Sequence, residues 1–303
     1  MLNILELIFL SLAFLVTFTG FLINHFERYV PEIIIQGYKY GSFAHRGSNA
    51  NYLSAIEIPK SYYRHFYVFS SLFSSTMLFY MYLAYFRDYS VHPYVPAVFK
   101  FFLEKDKTAV TGLGAFVSLS LLTLQSWRRL YETYYLQVFA KSSKMNLSHY
   151  IAGLVHYFGC VIAIVGQAPL FCVEGQHMVW TNMRTSSLYI PLSMIFILAW
   201  YEQYSANVIF ANLRKDGRTG RLVTEEHRIP MGGKFVYVSS PHRLAELVMY
   251  TVVFCLVPTT TFFCIYLWVV SNQIQTAIQA HEWYKKTFNN YPKNRYAIIP
   301  WVI

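Results

Sequence analysis

Charge is scarce in this 303-residue chain: Asp, Glu, Lys and Arg together make up 13% of it, about half of the roughly 25% usual in soluble domains. Apolar residues take their place, at 55% hydrophobic and 19% aromatic, which excludes intrinsic disorder. Cysteine is scarce too. Four residues with no C-x-x-C pair exclude a disulfide-stapled scaffold and a zinc ribbon, and leave the redox compartment open. The soluble nucleotide and hydrolase signatures are missing: there is no Walker loop and no Gly-x-Ser-x-Gly elbow. Gly112-Leu113-Gly114 lies inside an apolar stretch with no strand before it, so it reads as helix-packing glycine rather than a dinucleotide turn. The ten histidines include no H-E-x-x-H. His149 and His156 share a helix face at i, i+7 but lack a third ligand, so no metal site is expected. Cys160, Cys255 and Cys264 fall within apolar stretches and read as packing residues.

Acids are the scarcer charge, 15 against 25 Lys and Arg, giving +10. In a soluble protein that excess would raise the question of nucleic acid; here its distribution decides otherwise. Apolar stretches of about 20 residues with at most one charged residue each, the length needed to cross the hydrocarbon core, occur at Ile4–Asn24, Phe66–Phe86, Thr108–Gln125, Tyr150–Pro169 and Ser187–Gln203. A last block, Leu244–Ile278, is long enough for two, with the turn at Pro258 and Thr259–Thr261. Seven spans put 20 of the 25 basic residues on one side of the membrane; six would leave 16 there. The positive-inside rule therefore favours seven helices, a lumenal N-terminus and a cytosolic C-terminus. The basic excess is then mainly a topology signal, with no nucleic-acid partner expected. Met1–Gly20 lacks a basic n-region and a small-x-small site, so it reads as an anchor that stays. The sequon Asn146-Leu147-Ser148 falls in a cytosolic loop and should go unused. Without repeats or low-complexity linkers, residues 1–303 read as one all-α membrane domain.

Polar groups at membrane depth are expensive and therefore informative. Gln203, Asn207 and Arg214 stand at i, i+4 and i+11, on one helix face, and a stripe ending in a cation suits a polar, anionic ligand as well as it suits a solvated helix end. Met231-Gly232-Gly233 marks a turn where backbone approaches closely. The tail, with His281 to Tyr284, Phe288, Tyr291 and Arg295, mixes aromatics and cations. That mix fits either a stacked purine with paired phosphates or an interfacial aromatic belt.

The same stretches resemble the steroid 5α-reductase family, and within it the polyprenal (polyprenol) reductase branch. The resemblance rests on Gln203-Tyr204 through Asn212-Leu213-Arg214-Lys215, His227-Arg228-Ile229-Pro230 with Gly232, and Phe235 through Pro241. It continues in Leu244-Ala245-Glu246, His281 through Tyr284, Tyr291-Pro292, Arg295 and Ile299-Pro300, with a C-terminal core of about 187–303. Upstream, Glu57-Ile58-Pro59-Lys60 and Gln125 through Leu130 fit the same branch. The resemblance implies a seven-helix, multi-pass reductase of the endoplasmic-reticulum membrane that uses NADPH to saturate a double bond conjugated to a carbonyl. Its substrate would be a long polyisoprenoid, polyprenal, reduced at the α-isoprene unit towards dolichal and dolichol for dolichol-phosphate synthesis and protein N-glycosylation. Cofactor positions carried over are Arg129, Gln203, Asn207, Arg214, His242, Tyr284 and Arg295, with Tyr237 from the Tyr-Val-Ser-Ser-Pro run. The carboxylate near the carbonyl matches Glu57. Its tyrosine partner matches Ser126, a departure that leaves the acid role open among Gln125, Tyr131 and His281. Reduction of a 3-oxo-Δ4 steroid or a trans-2-enoyl thioester, or a silent membrane scaffold, are the other readings.

Overall fold

The structure, a computed structural model, describes residues 2–38, 56–103, 110–139, 143–172, 187–216, 221–224 and 226–303, with residues 180 and 219. Its helices are α1 (Ile4–Phe26), α2 (Glu32–Tyr38), α3 (Tyr63–Phe86), α4 (Tyr94–Leu103), α5 (Gly112–Tyr131), α6 (Leu147–Val165), α7 (Tyr189–Asn212), α8 (Pro241–Leu256) and α9 (Thr260–Thr287). Seven of these coincide with the apolar stretches; Thr108 and Ala109, where the third was expected to start, lie outside the described residues. Among the described residues three helical segments, Ile4–Tyr29, Lys60–Phe86 and Leu147–Val165, are long and apolar enough by themselves to cross a bilayer. Of the others, α2, α4 and α8 are shorter, at 7, 10 and 16 residues, and α5 is diluted by polar side chains turned inward, burying Ser118, Thr123, Gln125, Ser126 and Arg128 among its apolar residues.

Capping explains several helix starts. Asn3 caps α1 and forms a reciprocal capping box with Glu6, satisfying two orphan N–H groups at once. The same two residues clasp α9. Asn3 Nδ2 and Gln167 Nε2 each donate to Thr261 Oγ1 at 2.9 Å, and Thr261 Oγ1 donates to Glu6 Oε1 at 2.8 Å. Pro241 sits in the first turn of α8, where its missing N–H costs nothing. Pro258 separates α8 from α9, and Thr259 caps the latter.

Two three-residue strands fix the ends of α3 and α6. β1 (Glu57–Pro59) runs antiparallel to β2 (Lys144–Asn146), with Glu57 opposite Asn146 and Pro59 opposite Lys144. The sequon residue Asn146 is buried and its side chain caps α6 by accepting from Ser148 N. Between the bundle helices the core is apolar and close-packed, centred on Leu5, Phe9, Leu119, Ile164 and Ile265. Helices approach most tightly where a side chain is missing: a Cβ on Gly159 would fall 2.5 Å from the ring of Phe9.

Candidate active site

A cavity of about 500 Å³ opens among the ends of α3, α5, α6, α7, α8 and α9. Each element contributes for a local reason. α5 ends with Arg128 and Arg129 in its last turn, where cations complement the helix dipole, and then widens into a five-residue π-helical turn, Glu132–Leu136. That turn swings Glu132 inward, wholly buried. Its carboxylate pairs with Arg129, accepts from Asn207 Nδ2 at 2.8 Å and lies 3.5 Å from Arg128 Nε. A buried carboxylate is tolerable only with such partners, and here they include two of the expected cofactor residues, Arg129 and Asn207, both on the cavity wall.

The wall carries two chemical kinds of side chain. One is cationic: Lys60, Arg129, Arg214, Arg228 and Arg243 line it, with His227 beside them. His227 is in contact with Arg214 Nη2 at 3.1 Å. Burial first, then the charges of Arg214 and Lys60, push its imidazole down to about 4, so it is neutral at physiological pH. The other kind is apolar and aromatic, with Phe66, Tyr67, Tyr157, Phe210 and Trp268. Glu246 is the carboxylate on the wall, held by Gln203 Nε2 at 2.8 Å. Two buried wall atoms, Ser240 Oγ and His242 Nδ1, have no hydrogen-bond partner among the described residues. Buried polar groups of this kind need a partner, and a polar ligand in the cavity would provide one.

Of the residues expected from sequence, Arg129, Asn207, Arg214, His242 and Tyr284 line the cavity together. The others stand behind it or away from it. Gln203 and Gln125 form a buried seam with Arg128, Gln125 Nε2 donating to Gln203 Oε1 at 2.8 Å and Arg128 Nη2 to Gln125 Oε1 at 2.7 Å. Gln203 therefore orients Glu246 and the wall behind it, and Gln125 has no place on the wall. Arg295 is likewise behind: its guanidinium lies 5.2 Å from the Tyr291 ring centroid, Tyr291 stacks on Tyr284 at 5.6 Å, and Nη1 donates to Pro230 O. The pile supports Tyr284 and pins the loop at Gly232 and Gly233, whose φ of 86° and 51° suit glycine alone at low cost. His281 bonds Ser239 Oγ at 2.7 Å and is not on the wall. Tyr131 and Tyr237 are exposed.

Glu57, the carboxylate expected near the carbonyl, is not among the residues that line the cavity. It sits on β1 beside the mouth, partly exposed, 3.5 Å from Lys144 Nζ, and only its neighbours along the sheet, Lys60 and Ser143, reach the wall. A strand alternates its side chains between faces, and β1 turns Glu57 outward. Ser126 is buried and bonded to Ser70 Oγ at 2.6 Å and Leu122 O at 2.9 Å. Sequence reasoning missed Glu132, whose signal was its spacing of three and four from Arg129 and Arg128. It also missed Tyr67, one of 26 tyrosines, which had no signal.

Comparison with known proteins shows the family. A family model described as 3-oxo-5-alpha-steroid 4-dehydrogenase matches residues 162–303. A Drosophila melanogaster protein named polyprenal reductase is 39% identical over 309 residues, covering 99% of this chain and 94% of the fly protein. The Homo sapiens protein of that name is 31% identical over 258 residues, covering 82% of this chain and 79% of the human one. Its Caenorhabditis elegans counterpart is 30% identical over 289 residues, covering 92% and 89%.

Proposed function

The chain belongs to the steroid 5α-reductase family, in its polyprenal reductase branch, and on that premise we propose that it reduces the α-isoprene double bond of polyprenal in dolichol synthesis. The observation that carries this reading is the cavity's lining, which combines several cations with aromatic side chains and Glu246. A dinucleotide phosphate needs the first and an isoprenoid head group the second.

NADPH is the reductant that fits, and when bound it supplies a hydride. Arg214 and Arg228 would hold phosphates, since guanidinium groups pair phosphate oxygens bidentately. Arg129, Asn207, Ser240 and His242 would take the polar groups deeper in, and Tyr284, backed by Tyr291 and Arg295, offers an aromatic face for stacking. Gln203 acts through Glu246. Glu57 can reach a ligand only by giving up Lys144.

The aldehyde is the direct acceptor. Hydride is a nucleophile, and it adds to an alkene only where the developing negative charge has a site. The oxygen of an α,β-unsaturated aldehyde provides one, stabilised by donors placed to meet it; an allylic alcohol does not. Seven crossings, a lumenal N-terminus, a cytosolic C-terminus and residence in the endoplasmic-reticulum membrane complete the proposal, with residues 1–303 acting as one domain. They rest on the distribution of basic residues and on the long substrate, which stays in the bilayer. The test is incubation of purified protein with NADPH and either polyprenal or polyprenol. Saturation of the aldehyde is expected; efficient saturation of the alcohol without an aldehyde intermediate would refute the assignment.

A further inference from the structure

An enal that accepts hydride at its β-carbon needs a proton donor at its oxygen. The acid positions suggested by sequence do not provide it on the cavity wall: Gln125 is consumed in the buried seam, Tyr131 is exposed and His281 is bonded to Ser239. Ser126 is held by Ser70.

That Ser70–Ser126 bond nonetheless sets the register of α3 against α5. One turn before Ser70 stands Tyr67, and one turn after Ser126 stands Arg129, so the two meet on the wall. Tyr67 is 6% exposed. Its phenolic oxygen accepts from both Nε and Nη2 of Arg129 at 3.2 Å, and the guanidinium carbon lies 5.0 Å from the ring centroid. Arg129 is in turn fixed by Glu132, and the ring is braced edge-on by Tyr157 at 5.6 Å. With Arg129 occupying its acceptor side, the hydroxyl has no acceptor of its own among the described residues, and its proton is left for a ligand.

We propose that Tyr67 is the catalytic acid of this cavity, donating its hydroxyl proton to the carbonyl oxygen of the enal, with Arg129 as its positioning residue. This rests on the reductase reading above. As the β-carbon gains hydride from the nicotinamide reductant, one C–H bond forms, the alkene pair becomes the Cα–C1 double bond, and the carbonyl pair moves to oxygen. That oxygen takes the Tyr67 proton, leaving a phenolate against Arg129. Water then protonates Cα, the enol O–H returns its proton to Tyr67, and the resulting hydroxide is neutralised by a proton from solvent. The substrate gains one hydride and one proton in all, and the reductant is oxidised by two electrons.

The experiment compares wild type, Tyr67→Phe and a protein carrying 3-fluorotyrosine at position 67, each with polyprenal and NADPH. If wild type does not reduce polyprenal, the reductase reading fails. If it does, Tyr67→Phe should lose about 100-fold or more in kcat, the range for a lost acid or oxyanion donor, while NADPH still raises its thermal midpoint as in wild type. Turnover within about threefold of wild type, or loss of the NADPH-induced stabilisation along with turnover, overturns the proposal. The fluorinated phenol keeps the shape and is more acidic, so the alkaline limb of its kcat profile should move to lower pH; an unmoved limb also overturns it. Where Tyr67→Phe fails to fold, the fluorotyrosine profile decides alone.

Discussion

Replacing Glu132 tests whether the cavity wall is held from behind. Its carboxylate is fully buried and serves Arg129, Arg128 and Asn207, so Glu132→Ala strands two buried guanidinium groups and one amide. Breaking a buried ion pair from one side costs about 3–5 kcal/mol, because the surviving charge loses its counter-charge without regaining water. Glu132→Gln keeps shape and an acceptor, and should lose only the charge-assisted part, about 1–3 kcal/mol. Stability is read as the thermal midpoint in detergent, first without and then with NADPH. The Ala variant should have the lower midpoint, and NADPH should stabilise it less than it stabilises wild type, since Arg129 and Asn207 are no longer fixed. A double-mutant cycle with Arg129→Met isolates the pair, and residues in direct contact couple by about 0.5–3 kcal/mol. Coupling indistinguishable from zero, with an unchanged response to NADPH, would refute the claim that the carboxylate organises the wall.

Other expectations follow from the same geometry. Arg214→Ala should raise the KM for NADPH about tenfold or more with a smaller change in kcat, since it removes a phosphate partner on the wall. Arg295→Ala should weaken NADPH less, and restoring Lys should not rescue it, because its work is stacking on Tyr291; equal effects in both would contradict the distinction between wall and support. His227, neutral with its pKa pushed to about 4 from 6.5, binds fewer protons folded than unfolded between those values, so its contribution to stability is lost as pH falls through that window. An anion beside it reverses the shift. NADPH affinity should therefore rise between pH 7.5 and 5.5, by more in wild type than in His227→Gln, which titration at both pH values checks. Gly159→Ala should lower the thermal midpoint, at a cost of about 1–3 kcal/mol for overpacking, because its new methyl meets the buried Phe9 ring.

Helix positions were largely legible in the sequence, and helix ends were not. Hydropathy placed the last span up to Ile278, yet α9 runs on to Thr287: a hydropathy window marks where apolar residues stop, and Lys285 and Lys286 are good helix formers. α7 likewise continues past Gln203 to Asn212, far enough to carry Gln203 and Asn207 but stopping short of Arg214, the end of the expected stripe. Pro258 marked its break correctly because a proline removes a backbone donor whatever surrounds it. The paired strands escaped notice since three residues carry no period. Within the site, single cations on one helix face were readable, whereas Tyr67 and Glu132 depend on contacts between α3, α5 and α7. The outward turn of Glu57 depends on the register of β1 with β2, and nothing local encodes that register.

The long helix α9 has a mechanical consequence. Thr261, gripped by Asn3, Gln167 and Glu6, and Tyr284, on the cavity wall, are 23 residues apart on one uninterrupted helix with neither proline nor glycine between them. At about 1.5 Å per residue that is a rod of about 35 Å, close to the thickness of a bilayer's hydrocarbon core. Such a rod has no joint at which to bend. In a thinner bilayer such a rod tilts as one piece rather than bending, so any displacement at the clasp is carried undamped to the stacked tyrosines beside the cavity.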